Sequence, residues 1–117
     1  MPRKTRKKKR GPEVDTEAVR ILRPLKEEEG FHFYTAVDEP TGENAESLSD
    51  FSEKIKSVNL ESLAFHLQRK DFQKWVKNTL EDSKLAGRIG RIRPLHNEKL
   101  RGKICTTIEN RLKELQG

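Results

Sequence analysis

The sequence predicts a mainly α protein: a compact bundle of about five helices, a short strand at residues 31–37 and a basic N-terminal arm. Three observations carry this expectation. From Leu48 onward apolar residues recur at helical spacing, the first four runs each preceded by a residue suited to cap a helix. Residues 31–37 instead alternate, and they are aromatic and β-branched. The first ten residues hold charge and no apolar side chain after Met1.

Residues 1–12 form the arm. Its like charges repel, and it has nothing to bury, so it is expected to be disordered unless a partner orders it. Gly11 and Pro12 punctuate the join to a mixed strand and loop segment at 13–46. Within it, Val19, Ile21 and Leu22 fit either a short strand or one or two helical turns, and Pro24 ends either. Glu27, Glu28, Glu29 and Gly30 read as an exposed loop. In the strand that follows, Phe31, Phe33, Thr35 and Val37 share one face, with His32, Tyr34 and Ala36 on the other. Pro40 and Gly42 make 38–46 a loop.

Residues 47–117 form the helical domain. Leu48, Phe51, Ile55 and Val58 make an apolar stripe behind the cap pair Ser47 and Asp50. Asn59 caps the next helix, which carries Leu60, Leu63, Ala64 and Leu67. Asp71 is placed to cap a third, with Phe72, Trp75 or Val76, and Leu80. Asp82 is placed to cap a fourth, bearing Leu85, Ile89 and Ile92 until Pro94 stops it. The last helix runs from about Asn97 to Gln116 with Leu100, Ile104, Ile108, Leu112 and Leu115 inward. Gly102 weakens that helix by roughly 1 kcal/mol relative to alanine. The short connections make neighbouring helices pack on one another.

Composition limits what such a chain does. Hydrophobic residues are 32% of the 117 and charged residues 38%, so the core is modest. The single Cys105 excludes an intramolecular disulfide and a cysteine-based zinc site, which fits a reducing compartment. No apolar run approaches the roughly 18 residues that span a bilayer. The charged N-terminus has no hydrophobic stretch behind it and does not read as a signal peptide. A cytoplasmic, ribosome-associated location is the expectation.

The net charge of +6 hides a strong segregation. Residues 1–10 carry +7 from Arg3, Lys4, Arg6, Lys7, Lys8, Lys9 and Arg10. Residues 11–83 carry −7, and residues 84–117 carry +6. Basic ends around an acidic middle point to two faces that meet a polyanion.

Several blocks between residues 31 and 92 resemble a small uncharacterised domain family of archaea and bacteria. They are Phe31-His-Phe-Tyr-Thr35, Thr41-Gly42, Ser47-Leu-Ser-Asp-Phe51, Ser62-Leu-Ala-Phe-His66, Arg69-Lys-Asp-Phe72, Trp75 and Leu85-Ala86. The resemblance implies an accessory role, since in some members the domain is joined to sugar-transferring enzymes; it brings no site residues with it. The basic arm departs from that family's pattern. In architecture, a lysine- and arginine-rich arm on a small charged domain resembles small archaeal ribosomal proteins.

Candidate nucleic-acid contacts are therefore the seven arm residues and a second patch of Arg88, Arg91, Arg93, Lys99, Arg101 and Lys103. Arginine suits bidentate phosphate contact. The competing readings are an import signal or a solvated tail for the arm, and an ordinary wet helix face for the patch. His32, His66 and His96 lie on separate elements without metal-ligand spacing, so no metal is expected. Cys105 sits one step from the apolar stripe and reads as a packing residue. The acids Glu27–Glu29, Asp38 and Glu39 lack an apolar pocket that would tune them. Gly87 and Gly90 lack the Lys-Ser/Thr of a phosphate-binding loop. Of the aromatic residues, only Tyr34 and His32 remain as base-stacking candidates. The expected function is a non-enzymatic RNA-binding protein, an rRNA-binding accessory component of an archaeal ribosome. Its expected partners are rRNA in preference to DNA and neighbouring ribosomal proteins, with no cofactor, membrane or small-molecule substrate. The alternatives are a DNA-binding chromatin or regulatory protein, and a protein-interaction module that uses the acidic middle.

Overall fold

The computed structural model describes residues 16–94 and 97–117. The basic arm expected at 1–12, and His96, lie outside the described residues. Where the sequence left helix and strand open, helix α1 (Thr16–Leu22) forms and buries Ala18 and Ile21. Leu25 then donates its N–H to the Glu46 carbonyl at 2.7 Å, which ties the segment to the body. The loop expected at Glu27–Glu29 is a single 3-10 turn. Its Glu29 carbonyl accepts from the Trp75 indole N–H at 2.9 Å.

Strand β1 (Phe31–Ala36) follows the alternation, with Phe31 and Phe33 buried. Val37 does not continue that face: it is 65% exposed in the turn, beside Asp38 at φ 63°. The loop expected at 38–46 is instead a second strand, β2 (Glu39–Ala45), antiparallel to β1. It has the composition of a loop because no described residue pairs with its other edge and only Ala45 of the strand is buried. Pro40 is tolerated on such an edge, and Gly42 takes φ 88°. The register slips twice between Phe31↔Ala45 and Ala36↔Glu39. At the base of the hairpin a side chain at Gly30 would put Cβ 2.6 Å from the Ala45 carbonyl, so the close approach needs glycine there.

Helix α2 (Leu48–Ser57) begins at Ser47, whose Oγ accepts from the Asp50 N–H at 3.0 Å. The Asp50 carboxylate reaches back to the Glu46 N–H at 3.1 Å, one residue further than a capping box requires. Asn59 caps α3 (Leu60–Arg69) as expected. Asp71 is not the cap of α4 (Asp71–Asn78) but its first residue. Lys70, at φ 65°, makes the sharp turn between the two helices, which leaves the Asp71 carboxylate for other partners. Asp82 caps α5 (Ser83–Ile89) through the Leu85 N–H. That helix stops at Gly90, so Ile92 packs from the link beyond it, half-buried. Asn97 caps the long α6 (Glu98–Gln116).

One core joins these elements. Phe31 meets Phe33, Phe51, Phe72 and Trp75 at centroid distances of 4.9, 5.6, 5.1 and 5.6 Å. Such ring pairs contribute about 0.5–1.5 kcal/mol each beyond area burial. Helix α3 covers β1, α4 lies on α5, and α6 runs against α2, α3 and α5. Two arginines seat α6. Arg101 donates to the Ile55 and Val58 carbonyls at the end of α2, at 2.8 and 2.7 Å. Arg111, expected on no inward stripe, is buried and donates from Nε to Asp82 at 2.9 Å.

Candidate nucleic-acid interface

Helix α6 divides its sides by spacing. Leu100, Ile104, Ile108, Arg111 and Leu115 face inward. Lys99, Gly102, Lys103 and Thr106 fall at i, i+3, i+4 and i+7 on the wet side. Opposite them, α5 presents a half-buried Arg88, and the link beyond carries exposed Arg91 and Arg93. Between the two lies a groove of about 710 Å³. Five residues of the expected C-terminal patch line it together: Arg88, Arg91, Arg93, Lys99 and Lys103. Arg101 is not among them, because its guanidinium is turned to α2 and to Glu98 at 2.7 Å. A second hollow of about 560 Å³ continues the surface past Thr107 to Asn110 and Lys113.

The cations of this surface differ in what they already hold. Arg88 forks onto Glu114 at 2.9 and 3.1 Å. Those bonds, with a further one from Arg111, keep the Glu114 carboxyl below the usual range. Arg91, Arg93, Lys99, Lys103 and Lys113 form no ion pair among the described residues. Unpaired like charges held close together raise the local potential, and a polyanion relieves it. Thr106 adds an exposed hydroxyl to the rim. The chemistry available is phosphate contact with hydrogen bonding from hydroxyl and amide groups.

A different cleft, about 570 Å³, lies under the hairpin between β1, α3 and α4. It holds the residues that most suggest catalysis, yet their polar atoms are engaged. His66 Nε2 accepts the Tyr34 N–H at 2.7 Å, and Nδ1 lies 2.9 Å from Asp71 Oδ2. This network assigns the neutral tautomer with the proton on Nδ1. Burial lowers the His66 pKa, and Asp71 only partly offsets it. Neither ring nitrogen is left to take a proton from a ligand. Asp71 is also held by Arg69 at 3.1 Å, and Arg69 lies over the Phe65 ring at 5.0 Å. Tyr34 is half-buried and His32 exposed at the margin of the cleft. Cys105 is half-buried on α6, its thiol pushed up by burial and then by Glu109. Among the described residues no group of three His, Cys, Asp or Glu side chains is placed to hold a metal ion, and no helix is long and apolar enough to cross a membrane.

Sequence reasoning missed a third set of cations. Lys70, Lys74 and Lys77 line one side of α4, above the α4–α5 groove. Their i, i+4, i+7 spacing was the available signal; the acidic total of the surrounding segment concealed it.

The profile of a family of unknown function, DUF5752, matches residues 28–117. The chain belongs to that family. The DUF5752 match takes in the hairpin and every helix from α2 to α6, and with them both grooves and the cleft. Residues 1–27, which include the arm, precede it. No curated protein and no solved structure matches the chain.

Proposed function

We propose that this DUF5752 protein is a non-enzymatic RNA-binding protein, an accessory rRNA-binding component of an archaeal ribosome. In this reading the arm and the α5–α6 groove hold RNA phosphates. The observation that supports it is the α5–α6 groove: five basic side chains converge there, and four of them have no ion pair among the described residues. Charge placed this way positions a polyanion and reads no sequence. The complete engagement of His66 favours a binding protein over a hydrolase in the cleft.

The test is retention of the full chain on a structured rRNA fragment across a salt series, compared with duplex DNA. Removing a cation that neutralises one phosphate should flatten the log-log salt slope by about 0.9. Arg91→Gln with Lys103→Gln should flatten it by roughly 1 to 2. A slope unchanged by these substitutions removes the groove from the interface. Tighter retention on DNA replaces RNA with a chromatin or regulatory role.

A further inference from the structure

Helix α5 is a ridge with a basic hollow on each flank. On one side lies the α5–α6 groove. On the other is a hollow of about 450 Å³ between α4 and α5, lined by Lys70, Lys74, Lys77, Gln73, Asn78 and Ser83. All three lysines are exposed and none has an ion pair among the described residues. Gln73 Oε1 is buried beside them without a hydrogen-bond partner in the described structure. Along this ridge Lys84, Gly87 and Arg91 are exposed, Gly87 lining the α4–α5 hollow and Arg91, just beyond the end of α5, lining the α5–α6 groove.

The glycines add an independent observation. A Cβ at Gly87 or at Gly102 would meet nothing within 4 Å. No internal packing therefore asks for glycine at either place, although glycine weakens a helix. One lies on the crest of α5 and the other on the groove side of α6, where an incoming sugar-phosphate strand would come closest to the helix backbone. Equally informative is what lines neither hollow: among the described residues no aromatic side chain faces them. Proteins that grip unpaired bases stack them on aromatic rings. Cations on both flanks of α5, with hydroxyl and amide groups among them, match instead the phosphates and 2′-hydroxyls of a helix recognised by shape.

We propose that α4, α5 and α6 form one face for double-helical RNA, with the α4 lysines on one phosphate strand and the α5–α6 groove on the other. Gly87 and Gly102 are the points of closest approach. This rests on the RNA reading above and adds to it the α4 row and the form of the RNA.

The experiment uses the full chain and fluorescence anisotropy with three probes: an RNA duplex of about 20 base pairs, a single-stranded RNA of the same length and a DNA duplex. Lys70→Gln, Lys74→Gln and Lys77→Gln combined should weaken binding to the RNA duplex about tenfold or more and flatten its salt slope by roughly 2 to 3. Gly102→Ala, which favours the helix and so cannot act by unfolding it, should weaken duplex binding about threefold while melting at a higher temperature. If the triple variant binds the duplex like the parent while Arg91→Gln with Lys103→Gln loses affinity, the extended face is wrong and the RNA reading stands. If single-stranded RNA or the DNA duplex binds more tightly than the RNA duplex, the form of the ligand is wrong. If neither set of substitutions changes binding, the helical face is wrong and only the arm is left to hold RNA; if the full chain binds none of the three probes, the RNA reading fails with the proposal.

Discussion

The cleft under the hairpin and the groove between α5 and α6 make an instructive pair. Both are hollows of several hundred cubic ångströms, about 570 and 710 Å³. The cleft holds a histidine, an aspartate, an arginine and a tryptophan, a set that invites a catalytic reading. Each of those side chains is bound to another part of the fold: His66 to the β1 backbone, Asp71 to His66 and Arg69, and Trp75 to Glu29. The groove gathers lysines, arginines and threonines, and most of its charges have no protein partner among the described residues. Residue type alone ranks the cleft first. Engagement of the polar atoms reverses the order, because a group already satisfied inside the fold must give up that bond before it can serve a ligand.

Four predictions press on this contrast. The largest effect should come from Arg111, which anchors α6 beneath the groove. Arg111→Leu leaves Asp82, with a side chain 1% exposed, buried without its cation. Removing one partner of a buried pair typically costs about 3–5 kcal/mol. Chemical denaturation should register a loss of that order, and a change under about 1 kcal/mol would show that the pair is dispensable.

His66 comes next. His66→Ala strips the Tyr34 N–H of its acceptor, at about 1–3 kcal/mol for the unsatisfied group. A pH effect accompanies it. The folded His66 pKa lies below the ordinary 6.5, so the neutral ring favours the folded state. That stability is fully present above pH 6.5 and is lost as pH falls through the lowered folded value. Denaturation curves between neutral and acid pH should therefore show a decline that is shallower in His66→Ala. Parallel declines would mean that the ring is protonated in the fold and that the cleft is less completely engaged.

Gly102→Ala should stabilise the protein by about 0.5–1 kcal/mol, read as a rise in melting temperature, since its Cβ enters open space. Destabilisation there would reveal a constraint on α6 that its surroundings do not show. The smallest stability effect belongs to the groove itself. Arg91→Gln with Lys103→Gln should leave stability within about 0.5 kcal/mol while altering binding, as expected of side chains that the fold does not use. A loss of more than about 1 kcal/mol would make these cations structural and collapse the contrast between the two hollows.

How far each region could be read from the sequence follows the range of the interactions that make it. Helices α2, α3 and α5 were legible because Ser47, Asn59 and Asp82 act on backbone groups two or three residues away, and α6 was legible from its apolar stripe. The aromatic core was legible from alternation in β1 and from the helical stripes. Strand β2 was not. Glu39–Ala45 has no β-forming run, and it pairs because β1 needs a neighbour for its backbone groups. Asp71 was read as a cap because local rules favour it there. Lys70 takes the turn instead, and the carboxylate goes to His66, five residues earlier in the chain.

The basic surface divides in the same way. The sequence by itself determined the helices, the apolar stripes, the charge segregation and the arginine- and lysine-rich final third, all of which depend on composition and on spacing within a turn or two. Only the tertiary structure decided which cations are used inside the fold and which face solvent. It turned Arg101 onto the end of α2, buried Arg111 on Asp82 and clamped Arg88 to Glu114. It left Arg91, Arg93, Lys99 and Lys103 around one groove and set the lysines of α4 across the ridge from them. The physical reason is that an ion pair or a shared groove depends on distance in space, and here the partners lie 26 to 46 residues apart along the chain.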